Sequence, residues 1–90
     1  MSLPDVTKTL SEREKTHGSF AAVARTSQKL KAIIHEQGQL SAQALTYQQL
    51  EALDNICQKM ARIVCGNSLF SDSWHDIAGY ATLIEMELTE

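Results

Sequence analysis

The sequence predicts an all-α fold, a single domain of about four helices arranged as a bundle. Three observations carry this. Apolar residues recur at spacings of three and four in four separate stretches of the 90-residue chain, no stretch shows the strict alternation of a half-buried strand, and helix start and stop residues punctuate the stretches. With no internal repeat or low-complexity tract, residues 1–90 read as one domain.

The first helix is expected between Asp5 and Thr16, with Ser11 and Glu14 at the spacing of a capping box for a helix beginning later. His17-Gly18 breaks the run. Ser19 is placed to cap a second helix, whose Phe20, Val23, Ala24, Ser27, Leu30 and Ile34 share one face and which Gly38 should end. The segment Gln39 to Leu45 reads as a connection, possessing the room for a turn of its own. Thr46 and Gln49 then form a capping-box pair for a long third helix. Its stripe is Leu50, Leu53, Ile56, Cys57, Met60, Ile63 and Val64, and Gly66-Asn67 supplies the stop.

A fourth helix follows the short Ser68 to Ser71 link, with Ser71, Asp72 or Ser73 as its cap and Ser73 and Asp76 at capping-box spacing. Trp74, Ile77, Ala78, Ala81, Ile84 and Leu88 make its expected inner face, with Asp76, Tyr80 and Leu83 beside it. Gly79 lies inside this helix. An interior glycine costs about 1 kcal/mol relative to alanine, so close approach of another helix or a ligand is expected there. Short links between helices favour antiparallel neighbours.

Composition narrows the class. The hydrophobic fraction of 43% is that of a folded chain, and the longest apolar runs fall far short of the roughly 20 residues of a membrane span. The N-terminal run Met-Ser-Leu-Pro-Asp-Val-Thr-Lys lacks a secretory apolar segment, so a cytoplasmic location in the cell that makes it is expected. Cys57 and Cys65 fall on one helix about 12 Å apart along its axis, too far to bridge, so reduced thiols are expected. Two cysteines without a close pair do not make a structural zinc site. A domain this small leaves apolar surface that a second copy can cover, and a homodimer is expected.

The net charge of −3 is unevenly distributed. Residues 1–31 carry six Lys and Arg against three Asp and Glu, a net of +3, while residues 32–90 carry two against eight, a net of −6. The halves can attract each other or a second subunit. The acidic half argues against nucleic acid, whose binders present clustered Lys and Arg on a basic domain.

Lys59 and Arg62 are the cations of that acidic part, three residues apart on one helical face. They can grip a phosphate or carboxylate, or pair with Asp76 or Asp54 across the bundle. His17, at a helix junction, can reach a ligand or cap a carbonyl, whereas His35 and His75 read as surface residues. Glu51 and Asp54, with Asp76 or with Glu12 and Glu14, offer oxygen ligands for Mg²⁺ or simply a solvated face. No phosphate-cradling glycine loop, Ser-His-Asp set or Cys-His nucleophile pair can be assembled.

Three blocks, Glu12 to Phe20 with His-Gly-x-Phe, Lys59 to Ile63 with Lys-x-x-Arg-Ile, and Asp72 to Ala81 with Asp-Ile-Ala-Gly-Tyr-Ala, resemble a small all-α family of phage and prophage genomes that carries a domain of unknown function. That family is distantly similar to the MazG-type nucleoside triphosphate pyrophosphohydrolases, helical dimers that bind Mg²⁺ through paired acids. The resemblance implies a MazG-like bundle and a dimer. Where those enzymes have an acidic pair on a central helix, this chain has Lys59 and Arg62, and Ser73 replaces a glutamate on the last helix.

The leading expectation is therefore a non-catalytic phage-type accessory protein without a cofactor. It would bind a protein partner or an anionic phosphate or nucleotide ligand at a polar cluster of His17, Lys59, Arg62, Asp76 and Tyr80. One alternative is a divergent pyrophosphohydrolase with Mg²⁺ on Glu51, Asp54 and Asp76. The other is a phage-encoded inhibitor that binds a host factor through its surface.

Overall fold

The computed structural model describes residues 4–89, so Met1 to Leu3 of the N-terminal run lie outside the described residues. It is a four-helix bundle with no strand among them: α1 (Pro4–His17), α2 (Phe20–Leu40), α3 (Tyr47–Cys65) and α4 (Ser71–Leu88). The helix α3 is central. It packs along α2 on one flank and α4 on the other, and the backbones of these two do not approach each other closely. The helix α1 rests lightly on α2 and α3 at one end. No helix is long and apolar enough to cross a membrane.

Local sequence sets most boundaries. Ser19 accepts a hydrogen bond from the Ala22 backbone N–H, and Thr46 and Gln49 form both bonds of the capping box. Ser11 lies inside α1 and caps no later helix. Gly38 does not end α2, which runs on to Leu40, so Gln39 and Leu40 are helical and the connection is shorter than expected. Glycine is permissive rather than an obligate stop, and here the Gly38 carbonyl instead accepts the Ser41 N–H that closes the helix. At α4 the cap is Phe70, with no side-chain bond. Ser73, the expected capping-box residue, is buried in the first turn.

The face that α4 turns inward also differs from the expected one. Ser73 is buried, and Asp76, Ile77, Tyr80 and Ile84 are half-buried, at spacings of three and four. Trp74, Ala78, Ala81 and Leu88 are exposed. Two polar contacts hold this rotation: the Trp74 indole Nε1–H donates to the Ser68 carbonyl at 2.8 Å, and Lys59 pairs with Asp76. On α2, Phe20 is likewise exposed, not part of the core.

The buried apolar residues are Val23, Ala52, Cys57, Ala61 and Ile63. Most are small, which lets α3 approach its neighbours closely. Both cysteines are free, and the Cys65 Sγ lies 3.4 Å from the Thr26 hydroxyl. Burial, with Asp54 nearby, pushes the Cys57 thiol pKa upward, so it stays protonated.

No other helix of the chain approaches Gly79: a Cβ added there would meet nothing within 4 Å. Gly79→Ala should therefore stabilise the chain by about 1 kcal/mol, raising the melting temperature by several degrees. Scanning calorimetry checks this. An unchanged or lowered melting temperature would show that the glycine serves a contact outside the chain.

Candidate functional site

Two glycine corners build the site. The α1–α2 turn and the α3–α4 turn cross backbone against backbone. A Cβ on Gly18 would lie 2.2 Å from the Cys65 carbonyl oxygen, and one on Gly66 would lie 2.3 Å from the His17 carbonyl carbon. Gly18 also has φ of +87°, a conformation that glycine adopts freely. The Asn67 N–H donates to the Thr16 carbonyl at 2.7 Å and seals the crossing.

This crossing carries His17, the last residue of α1, into the interior. Its ring stands edge-on to Phe70, with centroids 5.6 Å apart. Its Nδ1 is buried and has no hydrogen-bond partner. Burial lowers the imidazole pKa, and the positive charges of Arg62, Arg13 and Lys59 push it the same way, so the ring is held neutral.

A cavity of about 240 Å³ opens beside this ring. Leu10, Phe20 and Val23 give it an apolar wall, while Arg13, Glu14, His17, Gln58 and Arg62 give it polar groups. Two guanidinium groups against one carboxylate leave it net positive. Two five-donor guanidinium forks on one wall suit an anionic head whose apolar remainder lies on the other wall.

The expected polar cluster is thus divided. His17 and Arg62 line this cavity. Lys59 turns to α4 and pairs with Asp76 at 3.1 Å, the across-bundle ion pair that was one of its two readings. Asp76 and Tyr80 line a separate open groove with His75, Gly79 and Leu83. Tyr80 also faces Glu51 and Tyr47 between α3 and α4.

The alternative Mg²⁺ ligands are dispersed in the same way. Asp54 bonds to His35 at 2.7 Å on the α2 side, while Glu51 lies on the α4 side. Among the described residues no three His, Cys, Asp or Glu side chains gather into a metal-holding group. His35, read as a surface residue, is instead half-buried and tied to Asp54. The sequence reading also missed Arg13, although its position four residues before His17 places both on one face of α1. The chain matches no protein-family model, no curated protein and no solved structure.

Proposed function

We propose that this chain is a small non-catalytic binding protein, of the phage or prophage accessory type its three sequence blocks imply. It takes an anionic ligand with a short apolar portion between α1, α2 and α3. The observation that carries this reading is the cavity beside the His17 ring, which Arg13 and Arg62 both line against a single carboxylate. The guanidinium forks supply charge-assisted bonds, and Leu10, Phe20 and Val23 take the apolar part. Lys59, engaged with Asp76, adds field without contact.

A thermal-shift titration with sulfate and with butyl phosphate, each with and without Mg²⁺, tests the reading. Both ligands should raise the melting temperature without metal, butyl phosphate more, because saturation at 100 times the dissociation constant adds about 2.7 kcal/mol. Arg62→Gln should abolish the shift and Lys59→Gln should preserve it. No shift with either ligand would overturn the reading, and a shift requiring Mg²⁺ would favour the metal-dependent hydrolase instead.

Acidity gives a second readout. The folded-state pKa of His17 is lowered, so the unfolded chain binds the proton more readily. The stability this residue contributes is complete above the unfolded value of about 6.5 and is lost as pH falls through the folded value. Wild-type protein should therefore lose more stability than His17→Gln between neutral pH and pH 5. Sulfate, a dianion throughout this range, should narrow the difference by stabilising the imidazolium.

A further inference from the structure

The contacts of α3 divide its circumference. Asp54 and Cys65 meet α2, and Lys59 and Ala52 meet α4. At 100° per residue, the arc between these lines on one side holds Gln58 and Arg62, over which α1 sits, and Glu51, which opens to the groove between α3 and α4. The opposite arc holds Leu53 and Ile56, which are half-buried, and Met60 and Val64, which are exposed. On α4, Leu83 and Glu87 share the groove with Glu51, so its other flank, Trp74, Ala81 and Leu88, adjoins this partly exposed arc of α3. Val64 is 71%, Leu88 69% and Trp74 55% exposed. Glu85 interrupts the stripe on the α4 flank.

The whole molecule carries the matching deficit. A folded monomer of 10.0 kDa should expose about 5,200 Å². This one exposes 6905 Å², about 1,700 Å² more. Standard interfaces hide about 800 Å² per partner and obligate homodimers more than about 1,000 Å². The lightly packed α1 contributes to the excess, and Met60, Val64, Trp74 and Leu88 on the α3–α4 face contribute exposed apolar surface to it.

We infer that a second copy of this chain covers this face, forming an isologous dimer in which the α3–α4 stripe of each protomer packs on that of the other. One self-complementary apolar surface closes under two-fold symmetry and does not propagate into an open chain of copies. The dimer also places the Arg13–His17–Arg62 cavity on the outer side of each protomer, so binding there and association are separable.

Light scattering on a sizing column should give twice the 10.0 kDa chain mass, and Met60→Glu with Val64→Glu should halve it while circular dichroism retains the helical signal. Leu83→Glu, on the opposite flank of α4, should leave the mass at two chains. Trp74 is the single tryptophan, so acrylamide quenching reports on the face in the unsubstituted protein even if the double variant fails to fold, and strong protection is expected. A wild-type mass of one chain, a folded double variant that stays dimeric, dissociation by Leu83→Glu, or a freely quenched Trp74 in an assembled protein would each overturn the inference.

Discussion

Replacing Gly18 by alanine should cost more than about 4 kcal/mol, in the range that marks loss of a specific structural device, and leave the chain largely unfolded at room temperature. Two effects combine. The new methyl group would have to occupy the position of the Cys65 carbonyl, backbone that belongs to a helix end and cannot rotate aside as a side chain would. The left-handed backbone at Gly18 adds about 1–2 kcal/mol for any residue with a Cβ. Gly66→Ala should behave comparably, since its methyl would strike the His17 backbone. Urea unfolding monitored by circular dichroism measures both. A loss below about 1 kcal/mol in either would mean that the corners can separate without consequence, and that the position of His17 does not depend on them.

Ala61→Leu carries the second-largest expected effect. Ala61 is completely buried on the α2 side of α3, where the buried positions Cys57 on α3 and Ser27 on α2 are also small. Three extra carbon atoms in a site closed by helix backbones force the helices apart. Overpacking of this kind costs about 1–3 kcal/mol, and the upper end is expected because α3 is the helix on which every other rests. Met60→Leu, one residue away and a third exposed, should change stability by less than about 1 kcal/mol. The midpoints of urea unfolding for the two variants give the comparison, and equal losses would refute close packing as the cause.

Much of the fold was legible because it rests on local chemistry. Ser19 before Phe20, the Thr46–Gln49 pair and the Gly66 stop need no knowledge of the rest of the chain, and each forms as read. What escaped the sequence depends on meetings between distant segments. Gly18 and Gly66 read separately as a break and a stop, yet their glycine character is required by each other's backbone. Asp54 finds His35 across α2 and α3, a pairing that no local spacing encodes.

The rotation of α4 was misread for another reason. Trp74, Ala81 and Leu88 recur as a buried stripe should, but periodicity marks an apolar face without naming what covers it. Asp76 and Ser73, polar by type, took the inward positions through the Lys59 ion pair and small size. The candidate site was half legible: His17 and Arg62 meet at one cavity, while Lys59, Asp76 and Tyr80 belong elsewhere. Nothing in the spacing distinguished Arg62, turned to α1, from Lys59, turned to α4.

The crossed corners also impose an order on refolding. Gly18 has no Cys65 carbonyl to meet until the chain from α2 to the end of α3 has folded back on itself, a closure whose entropy must be offset by helix pairing. The helix α1, with few contacts of its own, should dock after that closure. Because α1 supplies Leu10, Arg13 and His17 to the cavity, the pocket should be completed in the last step, and the proposed anion binding should trail the recovery of helicity.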